Sequence, residues 1–356
     1  MRIVFDARPL RSDVAHRGVG AVPLQIIKAL PEIDFTGLAP AGDYLESTSA
    51  YVLRTWPQIP KLSSLFFDFS PMLAHQFDLY WGTNHLLPLV QPKPSVITVH
   101  DMLYWKHRQY PDGNSFPRYR AARFAASLRR AKYIVASSQA TADDLSADFP
   151  ELVPRLEIAR LGPGIMTGNA VREAITGPAS DALPKNPYCL LLGATSPRKN
   201  LALIRKIWNL EDFAGDIHLW YTGTSTCADS KENRPELSKI HNAGVLTPSL
   251  RNAFLKHAVA LLQPSLYEGF GFPALEAMAL GCPVLALDTP IHREICGEAA
   301  LFLPNEPVAW RSAISGMVCN PSLRSELRDK GFYNVKRFDW GQTVSTYRDV
   351  FLQAVR

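Results

Sequence analysis

The sequence predicts an α/β protein of two domains, each a parallel β-sheet covered by helices. Three observations carry that expectation. The chain has 356 residues, more than one core of about 100–200 residues accommodates. Its apolar runs are short and alternate with helical patterns, the mark of parallel strands buried on both faces. A glycine- and proline-rich stretch then divides the strand series in two.

In the first half, residues 3–5, 96–99, 133–136 and 156–161 read as strands. In the second, residues 188–192, 217–221, 258–262 and 283–287 do the same. Between them Gly162, Pro163, Gly164, Gly168, Gly177, Pro178, Pro184 and Pro187 give linker composition. The expected division is a first domain over 1–165, a linker over 166–185 and a second domain over 186–339. The tail from 340 carries Val344, Tyr347, Phe351 and Val355 at helical spacing and reads as an amphipathic helix.

Composition narrows the function. Hydrophobic residues are 47% and charged residues 20%, which excludes a disordered or coiled-coil chain. The formal net charge of +5 suits an anionic small molecule or a membrane surface and is too weak to argue for nucleic acid. The five cysteines (Cys189, Cys227, Cys282, Cys296, Cys319) are dispersed, without a C-x-x-C pair, so a reducing compartment is the better reading. The opening Met1-Arg2-Ile3-Val4-Phe5-Asp6 is not a signal peptide. No apolar run approaches the roughly 18 residues that span a bilayer. A cytoplasmic protein, or one peripheral on the inner face of the plasma membrane, is expected.

The densest site signal is P-S-L-Y-E-G-F-G-F-P-A-L-E over 264–276. A strand runs into a glycine-bearing loop and then a helix that opens with Pro273, a residue suited to the first helical position. Such a loop and helix start offer free backbone N–H groups to an anion. Gly269 and Gly271 let the backbone approach a ligand closely, and Phe270 shares that backbone. Glu268 and Glu276 are hydrogen-bond acceptors suited to hydroxyls of a sugar or a ribose. The alternative is that Glu276 complements the helix dipole and Glu268 is a solvated turn residue.

Two further stretches follow the same logic. Arg198 and Lys199 come after a strand and before a helix, where their charges mark an anion site or else a solvated basic turn. His100, followed by Asp101, ends a strand where open α/β sheets bind ligands; a hydrogen-bonded structural histidine is the alternative. Arg17-Gly18-Val19-Gly20 lies between the first strand and the first helical pattern. No Asp-x-Asp, the usual metal clamp for a sugar nucleotide, occurs in the chain.

The 264–276 block resembles the Glu-x7-Glu signature of the family 4 glycosyltransferases, and the other stretches match that family in order from residue 3 to about 304. The resemblance implies the GT-B fold: two Rossmann-like domains whose parallel sheets face a central cleft, with the tail helix crossing back to the first domain. It places Glu268 and His100 at the donor sugar as catalytic residues. Arg198, Lys199, Gly18, Gly20, Gly269, Phe270 and Gly271 fall at the donor diphosphate, and Glu276 at the donor ribose. Departures from the family pattern are Ala21-Val22 after the second glycine, Leu161-Gly162-Pro163-Gly164-Ile165 before the linker, and His292-Arg293.

The implied activity is retaining transfer of a hexose, mannose from GDP-mannose by best match, to a glycan or lipid-linked saccharide acceptor in surface polysaccharide synthesis. No metal or cofactor and no nucleic acid partner is implied. A sugar-nucleotide epimerase or hydrolase, or a non-catalytic nucleotide-sugar binder, is the competing reading. Residues 116–131, with Arg118, Arg120, Arg123, Arg129 and Arg130, form a basic helix pattern. It reads as contact with an anionic membrane or lipid diphosphate, or as an arginine-covered surface helix. Tyr104, Trp105 and Tyr110 read as a stacking surface for acceptor sugar or as core.

Overall fold

The computed structural model describes residues 1–10, 18–42, 50–56, 67–73, 76–90, 94–106, 118–164, 183–193, 196–208, 210, 216–223 and 239–356. Most of the expected linker, together with Arg17 and Tyr110, lies outside these residues.

The chain divides into two compact units, and Asp339–Arg356 belongs to the first. The first unit holds β1 (Arg2–Asp6), β2 (Asp34–Pro40), β3 (Val52–Trp56), β4 (Leu79–Gly82), β5 (Ser95–Val99), β6 (Tyr133–Ala136) and β7 (Leu156–Ile158). They form a seven-stranded sheet in the order β3-β2-β1-β4-β5-β6-β7. The second unit holds β8 (Tyr188–Leu191), β9 (His218–Tyr221), β10 (Ile240–Asn242), β11 (Ala260–Gln263), β12 (Val284–Leu287) and β13 (Ala300–Leu303), ordered β10-β9-β8-β11-β12-β13. Every strand pair is parallel. Both sheets follow the doubly wound order, so the strand order reverses between β1 and β4 in one and between β8 and β11 in the other. Loops at the carboxyl ends of those strands form the crevice where such sheets take ligands.

The helices among the described residues of the first unit are α1 (Ala21–Ala29), α2 (Leu103–Lys106), α3 (Arg118–Arg130), α4 (Gln139–Asp148) and, after the second unit, α11 (Trp340–Val355). The second unit has α5 (Leu201–Trp208), α6 (Pro248–His257), α7 (Phe272–Ala279), α8 (Pro290–Cys296), α9 (Pro307–Cys319) and α10 (Pro321–Val335). None of the described helices is long and apolar enough to cross a membrane.

The period-2 alternation of the second sheet divides its core into two layers. Cys189, Leu191, Leu219, Leu262 and Leu285 pack on one face with Ile204 of α5 and Trp310, Ile314 and Met317 of α9. Tyr188, Leu190, Leu261, Val284 and Ala286 pack on the other with Phe254 of α6 and Ala274, Ala277 and Met278 of α7. The expected strand at 258–262 begins at Ala260 because Ala258 closes α6, its N–H bonded to Phe254 O. The expected strand at 156–161 ends at Ile158, opposite the last residue of β6.

Helix α11 is capped by Asp339, which accepts from Gly341 N. Its buried stripe is Thr343, Tyr347, Val350, Phe351 and Ala354. Val344 is only half-buried and Val355 is 37% exposed, so the stripe is rotated from the one read in sequence. Phe351 lies 5.2 Å from the Trp81 ring of β4, and Tyr347 hydroxyl is 2.8 Å from Thr98 Oγ1 of β5. Trp340 Nε1–H donates to Pro163 O at 2.8 Å. A Cβ added at Gly162 would sit 2.3 Å from the Trp340 ring, which explains the glycine there. Phe351→Ala is expected to destabilise the first unit by about 3–5 kcal/mol, read as a lower midpoint in chemical denaturation followed by circular dichroism.

Candidate active site

In the second unit, the loops after β8 and β11 flank the strand-order reversal and are tied together. Leu266 N–H donates to Arg198 O at 2.8 Å, and Asn200 Nδ2–H to Pro264 O at 3.3 Å. Pro197–Lys199 forms one 3-10 turn, closed by Asn200 in the left-handed region at φ 57°. This turn carries both cations inward. Lys199 is 8% exposed and pairs through Nζ with Glu268 Oε1. Arg198 Nη1–H donates to Glu268 Oε2 at 3.0 Å and to Tyr267 O at 3.0 Å. Gln263, the last residue of β11, donates from Nε2 to Glu268 Oε1 at 3.0 Å.

Two cations thus converge on one carboxylate, leaving one excess positive charge at the crevice. Burial alone would push the Glu268 carboxyl up. The charges of Lys199 and then Arg198, with hydrogen bonds from Lys199 and Ser265, outweigh it and hold the group at about 2. Glu268 is therefore an anion throughout the neutral range. It accepts hydrogen bonds and cannot serve as a proton donor, and its pKa is far from the value a general base needs.

The loop then turns into α7. Gly271 stands at φ 83°, a conformation glycine adopts without strain, and Pro273 occupies the first turn. The Phe270 side chain is core, 4.8 Å from the Phe272 ring and 5.9 Å from the Phe338 ring, so only its backbone is available to a ligand. Glu276 is 4% exposed and pairs with Arg251 of α6, Nη2 to Oε2 at 2.9 Å. Burial raises its carboxyl pKa and Arg251 opposes that rise.

His292, noted in sequence only as a departure from the family pattern, completes the site. It is fully buried on α8. Its Nδ1 lies 2.8 Å from Leu287 O, which requires the proton on Nδ1 and leaves Nε2 a bare acceptor without a protein partner. Burial lowers its pKa, and the charges of Glu268 and Lys199 both act on it, so a neutral imidazole adjoins the triad.

In the first unit, His100 follows β5 and is 6% exposed. Its Nε2 lies 2.9 Å from Thr83 O, so Nε2 carries the proton and Nδ1 is left as acceptor. Burial, reinforced by His85, lowers its pKa to about 4. Asp101 accepts from Leu103 N–H at 2.9 Å and thereby starts α2. Gly18–Gly20 is a short 3-10 turn leading into α1, and Gly18 stands at φ 57° with open space where a Cβ would be. Three side chains here escaped the sequence reading. Asp6, fully buried at the end of β1, takes a two-pronged pair from Arg8 at 2.7 and 2.8 Å. His85 stands at φ 62°, in the left-handed region uncommon for non-glycine residues, and its ring stands 5.4 Å from that of His100.

The expected site residues are thus grouped as follows. Glu268, Arg198 and Lys199 meet directly, Gly269, Phe270 and Gly271 share their loop, and Glu276 stands in the helix that follows. His100, Gly18 and Gly20 belong to the first unit. On α3, Arg123 pairs with Asp68, Arg130 donates to Pro88 O and Leu89 O at 2.6 and 2.9 Å, and Arg129 meets Glu151 at 3.1 Å. These arginines fasten the helix to its own unit. Trp105 packs 4.8 Å from Phe149 and Tyr104 stacks with Phe124.

Residues 186–320 match the family described as Glycosyl transferases group 1, and residues 37–167 match Glycosyltransferase Family 4. The chain is 25% identical over 323 residues to the O-antigen chain mannosyltransferase RfbU of Salmonella typhimurium, covering 84% of each protein. It is 22% identical to the O-antigen chain mannosyltransferase B of Escherichia coli, covering 98% of this chain and 100% of the other. Among solved structures, Anabaena HepE in complex with UDP and glucose is similar at a TM-score of 0.71 and 16% identity, covering 99% of this chain and 100% of that one. With both halves matched and both sheets in the doubly wound order, the chain belongs to the group 1, family 4 glycosyltransferases and has the GT-B fold.

Proposed function

We propose that the protein is a retaining, metal-independent mannosyltransferase. It moves mannose from GDP-mannose to a glycan or lipid-linked saccharide in surface polysaccharide synthesis, at the inner face of the plasma membrane. The observation that carries the reading is the buried convergence of Arg198 and Lys199 on Glu268 at the strand-order reversal of the second sheet. A diphosphate entering there competes with Glu268 for the two cations. Charge that develops on the leaving group is then met by preplaced donors, the largest single contribution in many such reactions. On this reading the cationic role that a metal plays in other sugar-nucleotide enzymes falls to Arg198 and Lys199.

Glu268, freed in part from its cations, accepts hydrogen bonds from hexose hydroxyls. His100, neutral with Nδ1 as acceptor, is suited to a further sugar hydroxyl. The acceptor hydroxyl attacks the anomeric carbon on the face that the diphosphate leaves. The C1–O bond to phosphate breaks, the new glycosidic C–O bond forms, and the hydroxyl proton passes to the departing phosphate oxygen. Mannose is favoured by the names of the two O-antigen relatives.

The test is product analysis in EDTA with GDP-mannose, UDP-glucose, UDP-N-acetylglucosamine and dTDP-rhamnose, each with a lipid-linked saccharide acceptor. Transfer from GDP-mannose alone, with the donor's anomeric configuration kept in the NMR spectrum, is the expected result. Transfer from another donor overturns the mannose assignment, inversion overturns the same-face route, and a requirement for divalent cation overturns metal independence.

A further inference from the structure

We infer that Arg251 is a positioning residue of the donor site, holding Glu276 as an ionised acceptor for the ribose hydroxyls. This rests on the proposed donor role of Glu276. Arg251 lies in the first turn of α6, and Glu276 in the body of α7. Arg251 Nη2 reaches Glu276 Oε2 at 2.9 Å, and the two side chains are 21% and 5% exposed. The contact is an ion pair: Arg251 Nε has no hydrogen-bond partner, and Glu276 Oε2 accepts no hydrogen bond.

The placement is not explained by the helix that bears it. The amino end of a helix carries partial positive charge and disfavours a cation. Thr247 already caps α6 by accepting from Leu250 N–H at 3.3 Å, and its first turn contains no acid to pair with Arg251. The cation is locally unfavourable and is accounted for by the carboxylate across the interhelical gap. Glu276, for its part, is buried beside an apolar layer of Ala274, Ala277 and Met278. A carboxylate in such surroundings takes up a proton unless a cation opposes it. Protonated, it gives up acceptor capacity on one oxygen to an O–H bond. With Arg251 on Oε2, the acceptor positions of Oε1 remain for a vicinal diol, whose two O–H groups are donors.

The experiment compares wild type, Arg251→Leu, Arg251→Lys, Glu276→Gln and the double variant Arg251→Leu/Glu276→Gln. Calorimetry with GDP, UDP and their 2′- and 3′-deoxy analogues gives affinity, and steady-state kinetics gives KM and kcat. For the nucleotide that binds wild type, Arg251→Leu is expected to weaken binding about tenfold, the order of a hydrogen bond to a charged group. Donor KM rises with it and kcat stays within about twofold, since the contact is with the ribose and not the reacting carbon. Arg251→Lys recovers part of the affinity. The double variant matches Glu276→Gln, because a neutral side chain needs no counter-charge, and it keeps the result readable if Arg251→Leu alone folds poorly. The deoxy analogue that lacks the bonded hydroxyl binds wild type and Arg251→Leu alike.

Wild-type affinity in Arg251→Leu, or an equal loss for the ribonucleotide and both deoxy analogues, overturns the positioning role. Should Glu276→Gln weaken binding while Arg251→Leu does not, the donor reading of Glu276 stands and only this inference falls. Unchanged affinity in Glu276→Gln, or no nucleotide binding by wild type, overturns the donor reading itself.

Discussion

Lys199→Ala is expected to lower kcat by about 10²–10³, the cost of removing one preplaced donor from a developing anion. Lys199 is 8% exposed and its turn is held by Asn200 and by the Leu266–Arg198 backbone bond, so the amine is fixed before any donor arrives. That preorganisation is what makes its loss expensive in the transition state. The donor KM should change less than kcat, because Arg198 remains to bind the ground-state diphosphate. Quenched-flow measurement of the sugar-transfer step checks the result. A fall of less than threefold would remove Lys199 from the proposed chemistry.

Glu268→Gln is the second large effect. Glutamine keeps the size and one acceptor oxygen but removes the charge on which Lys199 and Arg198 converge. Turnover should fall by at least about a hundredfold, comparable to loss of an electrostatic partner in a closed site. Stability should also drop, by about 3–5 kcal/mol, because buried Lys199 and partly buried Arg198 lose their anion. The pH dependence has a definite sign. The Glu268 carboxyl lies near 2 in the folded protein against 4.5 for the free side chain. Its contribution to stability is full above about 4.5 and is lost as the pH falls through about 2. Acid unfolding of wild type between those values should thus be steeper than that of Glu268→Gln. Equal acid slopes, with equal turnover, would show that Glu268 is a bystander.

The parts of the fold legible in sequence are those whose residues face apolar surroundings on both sides. β6, β8 and β12 are almost wholly buried and appear as unbroken apolar runs, and β5 is a buried Val-Ile-Thr-Val run interrupted only by Thr98. The unread strands lack that signal for separate reasons. β2 is Asp-Phe-Thr-Gly-Leu-Ala-Pro, with a glycine and a proline that argue against a strand. β3 and β10 are edge strands with mixed exposure, and β10 is Ile-His-Asn. β4, Leu-Tyr-Trp-Gly, is as short and as buried as β6, β8 and β12 but ends in glycine, and β13 is half-buried over three of its four residues. The site divides along the same line. Glu268, Gly271 and Pro273 are local to one loop, and their spacing alone is informative. Arg251 and Glu276, or His85 and His100, meet only because separate elements pack together, and no pattern in the linear chain records those meetings.

The placement of α11 has a bearing on biosynthesis. The nascent chain delivers the strands of the first sheet long before the helix that covers Trp81, because the whole second unit is made in between. Until residues 340–355 emerge, the aromatic surface of Trp81 and Phe35 against which Tyr347 and Phe351 pack stays uncovered. The second unit ends at Phe338 and has no such wait. Domains made first usually fold first; here the last element of the first unit is synthesised after the second unit is complete.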